Sequence, residues 1–422
     1  MKVGIVGMGI AGLRAAMLLE AAGHEVHSFE ARDRVGGRLE TSTFSDGTAY
    51  ESGGEWIDAD HERVKALVAE LGLEFVVTPD VPRQVIFGGE TTSTEAIWPD
   101  ADADQAALDE AADELGGELV LPAWVNQRAD LDGQTVAEFI RRTTASDRGN
   151  WWVSAQIRSD EGDDPDRIGL LGWLCGMIHY RERAEGSMSA LRVRGGWGGA
   201  CEAIAARLKH SPRLSMNLRH VTQTGDGVEL EFADGSCEFF DAVVLTLPPG
   251  PLDSVQMTPP LPSPQSMAIQ ACGMSRAIKV AFRFDRPWWR ERGLSGSFHV
   301  EGRLQQLWDG SHGGGHVLLA YVCGDDSVGM DAEVARLAFE EQFPDHGSRL
   351  EEIQVHDWVR DPFARGAFSH LAPGYATQHM AHLAAPHGRV FFAGEHTATW
   401  TGFIVGALES AERVVAEIGE RR

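Results

Sequence analysis

Short apolar runs broken by glycine alternate along this chain with stretches of helical period, and the changes of period outline its organisation. Residues 2–6 (KVGIV) form a β-branched apolar run that a glycine-rich turn follows at once. Leu13, Ala16, Met17 and Leu19 then recur at helical spacing between Ile10 and Ala22, Gly23 ends the helix, and Glu25–Phe29 reads as a second strand closing on Glu30. This is one βαβ unit. Residues 60–71 repeat the helical pattern with Val64, Leu67, Val68 and Leu71 on one face, and 99–119, acidic and alanine-rich, predict a solvated helix with its flanks.

The middle of the chain changes to strand periods. Leu214 to Phe232 alternates and breaks at Thr224–Gly227, a hairpin signal; a second turn at Asp234-Gly235 leads into the apolar run Ala242–Leu247, which Pro248-Pro249 stops. From Arg276 to Phe284 the period is two, with Ile278, Val280, Phe282 and Phe284 on one side and Ala277, Lys279, Ala281 and Arg283 on the other. Ser311–Gly315 reads as a loop or hairpin tip, Val390–Ala393 as a strand and Phe403–Ile418 as a helix. A βαβ unit at one end and a strand–loop–helix at the other predict an α/β, Rossmann-like nucleotide-binding domain assembled from residues 1–75, 192–275 and 386–422. Residues 76–191 and 276–385 are expected to form an α+β substrate-binding domain with a mixed sheet.

Composition narrows the partners. The 422 residues carry a net charge of −26, which argues against nucleic acid or an anionic membrane and suits the attraction of cationic small molecules. No run reaches the roughly 18 apolar residues of a membrane span. The five cysteines, Cys175, Cys201, Cys237, Cys272 and Cys323, match no metal spacing and are expected as reduced thiols in a cytoplasmic protein. Lysine is confined to Lys2, Lys65, Lys209 and Lys279, so Lys279 in an apolar strand stands out.

Gly7-Met8-Gly9-Ile10-Ala11-Gly12 is G-x-G-x-x-G between a strand and a helix, where glycines admit the backbone to a pyrophosphate resting on the helix N-terminus. Glu30, at the end of the second strand and followed by Ala31 and Arg32, is placed to accept ribose hydroxyls. Arg34-Val35-Gly36-Gly37-Arg38 comes next, with glycines for close approach and an arginine able to pair with phosphate.

In this position R-x-G-G-R resembles flavoproteins with two dinucleotide-binding motifs, and the likeness extends along nearly the whole chain to the flavin-containing amine oxidase family. Gly53-Gly54-Glu55-Trp56 resembles the segment under the flavin ring, and Phe240–Pro249 the strand closing the nucleotide domain. Val221 matches the position that meets the adenine. Phe391–Thr397 with Trp400–Phe403 and Ile404 is similar to the C-terminal FAD motif, including Gly394, Glu395 and Gly402. The resemblance implies bound FAD, an amine substrate and O2. Lys279 matches the lysine that holds a water beside flavin N5, and Phe368 and Phe403 match an aromatic cage that is tyrosine in monoamine oxidases. Ala367 stands where those enzymes carry the flavin-linking cysteine, so the FAD is expected to be non-covalent, and Ile404-Val405 departs from their pattern after Phe403.

An L-amino acid oxidase, a desaturase and a non-redox sugar mutase remain as alternatives, with Arg158, Arg194 or Arg365 as carboxylate-binding options for the first. The sequence leaves the amine and the oligomeric state open, a homodimer being one option.

Overall fold

The computed structural model describes residues 1–78, 81–182, 188–311 and 314–420. Its first layer is a four-stranded parallel sheet in the order Glu25–Phe29, Lys2–Val6, Ala242–Leu245, Val390–Phe392. Alternation along these strands feeds two cores. Val3, Ile5, Val244 and Phe391 face the helices Ile10–Ala21, Glu62–Leu71, Gly196–Ala205 and Ile404–Gly419. Val6, Phe29, Val243, Leu245, Val390 and Phe392 face a second sheet of Leu218–Gln223, Val228–Phe232, Cys237–Phe240 and Gln256–Thr258. Strands buried on both faces are what continuous runs such as AVVL require. The helices that begin and end the chain pack on each other over this sheet.

The other half is built on a mixed seven-stranded sheet, in the order Leu350–Asp357, Ala277–Phe284, Val317–Cys323, Gln306–Asp309, Phe298–Val300, Gln84–Phe87, Glu90–Ser93. Ile278, Val280, Phe282 and Phe284 enter an aromatic core with Trp288, Trp289 and Phe339, on the side that the period of two predicts. Lys279 points the other way, toward the nucleotide-binding half, and there it is buried. A helical cluster caps this half, with Pro99–Gly116, Val136–Thr143, Asp147–Glu161 and Leu170–Glu182 packed around Leu108, Phe139, Ile157 and Leu174.

The acidic stretch at 99–119 is therefore only half solvated. Ala101, Leu108 and Ala112 are buried, and the Asp104 carboxylate accepts hydrogen bonds from Ala145 N, Ser146 N and Ser146 Oγ at 2.6–2.9 Å. Of the Ser311–Gly315 loop, His312 and Gly313 lie outside the described residues. No helix among the described residues is long and apolar enough to cross a membrane.

Candidate active site

A cavity of about 1290 Å³ runs between the two halves. It exceeds the roughly 300–1,000 Å³ of a usual small-ligand pocket, leaving room for a dinucleotide and a substrate together.

Its nucleotide end is made of backbone. Gly7, Gly9, Ile10 and Ala11 line it, and the helix starting at Ile10 has Gly9 as an N-cap without a side-chain cap, so free N–H groups face the cavity. Gly12 lies behind this wall: a Cβ there would come within 2.0 Å of Gly7 O, so only glycine lets the helix lie this close to the turn. Buried Glu30 accepts hydrogen bonds from Met8 N at 2.7 Å and Arg32 N at 2.9 Å, which fixes its carboxylate at the cavity wall. Ala31 and Arg32 line the cavity beside it, the Arg32 guanidinium being held by Asp361 at 2.6 and 2.7 Å.

The middle of the cavity is formed by Gly36, Gly37, Arg38, Gly53, Gly54, Gly394 and Glu395. A Cβ on Gly53 would meet Arg38 O at 2.1 Å, so these two segments can touch only backbone to backbone. Glu395 ties three segments together, accepting from Arg38 Nη1 at 2.8 Å, Ser369 N at 3.2 Å, Ser369 Oγ at 2.5 Å and Gly402 N at 2.7 Å. Burial alone would raise its pKa, but Arg38, His396 and these donors outweigh it and hold the carboxyl below its ordinary value. Gly402, Phe403 and Ile404 carry the cavity wall onto the C-terminal helix, whose N-cap Phe403 offers no side-chain cap and leaves a second free helix N-terminus.

At the far end Lys279, Glu55, Trp56, Trp308, Phe368 and Phe403 line one region. Lys279 Nζ donates to Glu51 O at 3.2 Å and Glu55 Oε2 at 3.1 Å and lies 5.0 Å from the Trp308 ring centroid. Glu55 also takes Arg192 Nη1 at 3.1 Å and Trp308 Nε1 at 3.2 Å, so its buried charge is balanced by two cations. Beneath Lys279 lies Glu51, whose pKa is pushed up to about 7 by burial, against the hydrogen bond it accepts from the Thr41 hydroxyl. Phe368 packs on Gly402, where a Cβ would lie 3.3 Å from Phe368 Cδ2, and Phe403 lies tilted against Trp400 with ring centroids 4.2 Å apart.

The sequence-predicted residues thus converge on this cavity, with two exceptions. Gly12 supports the wall from behind. Val221 is buried in the core between the two sheets of the nucleotide half, and Met216, Asn217 and Leu218 reach the cavity instead, because the chain enters that strand at the cavity and Val221 lies deeper in it. The candidate carboxylate binders Arg158, Arg194 and Arg365 do not line the cavity. They are held by Asp164, by Glu74, and by Gly250 O with Ser254 Oγ. Sequence reasoning missed Arg83, Asp160 and Tyr321, which the helical cap and the large sheet bring to the substrate end, and Arg192, which the short strand Leu191–Val193 brings there. Ala367 lines the cavity and none of the five cysteines does.

Residues 10–419 match the family described as flavin containing amine oxidoreductase. The chain belongs to this family. An L-amino acid dehydrogenase of Synechocystis is 28% identical over 98% of this chain and 94% of its own. The flavin-containing amine oxidase B of Cavia porcellus is 27% identical over 98% of this chain and 85% of its own. The fold is shared with cyclohexylamine oxidase from Brevibacterium oxydans, at a TM-score of 0.90 and 23% identity, covering 100% of this chain and 99% of that one. The protein is accordingly a flavin-dependent oxidoreductase, and FAD is its cofactor.

Proposed function

We propose that this chain is an oxidase of amines, converting an amine to an imine that water opens to an aldehyde or ketone, with O2 reduced to H2O2. The observation that carries this reading is the meeting of a dinucleotide cradle with Lys279, Phe368 and Phe403 in one cavity. When bound, FAD supplies the two-electron acceptor for the amine C–H bond.

The residues present fit FAD: the free N–H groups at Gly9–Ala11 suit its pyrophosphate, the pinned Glu30 carboxylate its ribose, and the N-terminus at Ile404 negative charge on its ring system. With Ala367 in place of a thiol, attachment is non-covalent. Phe368 and Phe403 bracket the substrate and exclude water. Two N–H groups of the Lys279 ammonium are taken by Glu51 O and Glu55, which leaves the third for a water.

An amino acid is the second reading. The Synechocystis relative carries that activity in its name, and Arg83 lines the cavity with no carboxylate within ion-pair distance among the described residues. Oxygen uptake and peroxide release, measured with tyramine against tyrosine and phenethylamine against phenylalanine, separate the two. Turnover of the amines supports the proposal, and turnover of the amino acids alone overturns it. Yellow supernatant after acid precipitation is the expected sign of non-covalent FAD.

A further inference from the structure

Helix Asp147–Glu161 turns one face to the substrate end of the cavity, presenting Trp152, Gln156, Ser159 and Asp160 at helical spacing. Its last turn is fixed from three sides. Ser159 Oγ donates to Gln306 Oε1 at 2.7 Å, Arg158 O accepts from Cys323 Sγ at 3.3 Å, and a Cβ on the capping Gly162 would sit 2.7 Å from both Phe368 Cζ and Tyr321 Oη. Asp160 therefore stands two residues, roughly 3 Å along the helix axis, from a residue packed directly on the cage phenylalanine.

Asp160 has no hydrogen bond and no ion pair among the described residues. Its side chain is accessible, but to the interior of the cavity rather than to the outer surface, and that enclosure pushes its carboxyl up to about 7 against the attraction of Arg83. Arg83 leans the other way, with Nη1 3.5 Å from His299 Nε2, and the buried His299 is held neutral. Asp58 lines the same end of the cavity and adds a second carboxylate to the field there. An acidic residue in the last turn of a helix opposes the helix dipole. A carboxylate kept there unpaired and turned inward has no structural return in the folded chain.

We propose that Asp160 is the recognition group for a second, non-reacting ammonium, so that the preferred substrates are amines bearing another cationic nitrogen on a short aliphatic spacer. The inference rests on the amine-oxidation reading. A reacting amine held between Phe368 and Phe403 directs such a spacer along the helix end toward Asp160, where a charge-assisted hydrogen bond replaces the carboxylate's lost water.

The test compares 1,4-diaminobutane with butylamine on the FAD-loaded enzyme, for the wild type, Asp160→Asn and Asp160→Glu. Two quantities are read: kcat/KM for flavin reduction and Kd by calorimetry, with FAD content as the check on folding. The expected result is a wild-type preference for the diamine that falls roughly 10- to 100-fold in Asp160→Asn, mainly through KM and Kd, and is partly restored in Asp160→Glu. A wild type indifferent to the second nitrogen, or a ratio unchanged by Asp160→Asn, overturns it. If neither amine bleaches the flavin, the oxidase reading fails, and the Kd ratio still decides the role of Asp160.

Discussion

Among single residues, the charges around Lys279 set the character of the substrate end. Two cations, Lys279 and Arg192, meet the carboxylate of Glu55, while burial pushes the pKa of Glu51 beneath them up to about 7. Lys279→Met removes the ammonium and leaves Glu55 its contacts with Arg192 and Trp308. Flavin reduction by amine is expected to slow roughly 10²- to 10³-fold, as for loss of one preorganised donor, with FAD still bound; an unaltered rate constant in stopped-flow would contradict the role given to Lys279. Glu51 makes a separate prediction with a definite sign. Its folded pKa, about 7, lies above its ordinary 4.5, so the stability it contributes is fully present below 4.5 and is lost as pH rises through 7. Glu51→Gln removes that dependence. The melting temperature of Glu51→Gln relative to wild type is expected to rise between pH 5 and pH 8, and a gap that stays constant or narrows would show Glu51 to be ionised throughout. Glu395 works in the opposite sense, because its pKa is depressed: its contribution is present above the ordinary carboxylate range and is lost as pH falls through its folded value. Glu395→Ala strands Arg38 and is expected to cost about 3–5 kcal/mol, read as a fall in denaturation midpoint together with loss of bound FAD.

Among the elements, the site depends on how closely helices and turns approach. Gly12 seats the first helix against Gly7 O, and Gly12→Ala is expected to destabilise the apo-protein by about 1–3 kcal/mol and to lower its FAD content; an alanine variant purified with full FAD and an unchanged melting temperature would contradict this. The elements legible in the sequence are those whose requirement is local. The glycine fingerprint and Glu30 at a strand end answer to backbone geometry within one βαβ unit, and the period of two in Ala277–Phe284 assigns its two faces correctly. Less legible is depth within an element: Val221 lies in the strand expected at the nucleotide site, yet the cavity is reached by residues three to five positions earlier. Alternation cannot say where along a strand the site begins. The helix at Pro99–Gly116 shows the same limit, since an acidic, alanine-rich composition conceals a buried face and the Asp104 contacts to Ala145 and Ser146.

Across the whole molecule, the substrate end is assembled from segments distant in the chain: Glu55 and Asp58, Arg83, Asp160, Lys279, Tyr321, Phe368 and Phe403. None of Arg83, Asp160 or Tyr321 stands in a motif, and only the packing of the helical cap over the large sheet brings them to one cavity. The net charge of −26 acts at this scale too. A cationic amine is expected to meet the enzyme more slowly as salt screens that field, so kcat/KM falls with ionic strength while kcat stays level; equal loss in both would place the effect on chemistry rather than on encounter. The most direct test of the proposed reaction is anaerobic mixing of the purified yellow protein with phenethylamine, tyramine, 1,4-diaminobutane and aromatic L-amino acids, following flavin absorbance and then admitting air. Bleaching by an amine, with the colour and one equivalent of peroxide returning on aeration, is the predicted result. A flavin that keeps its colour with every amine would contradict it.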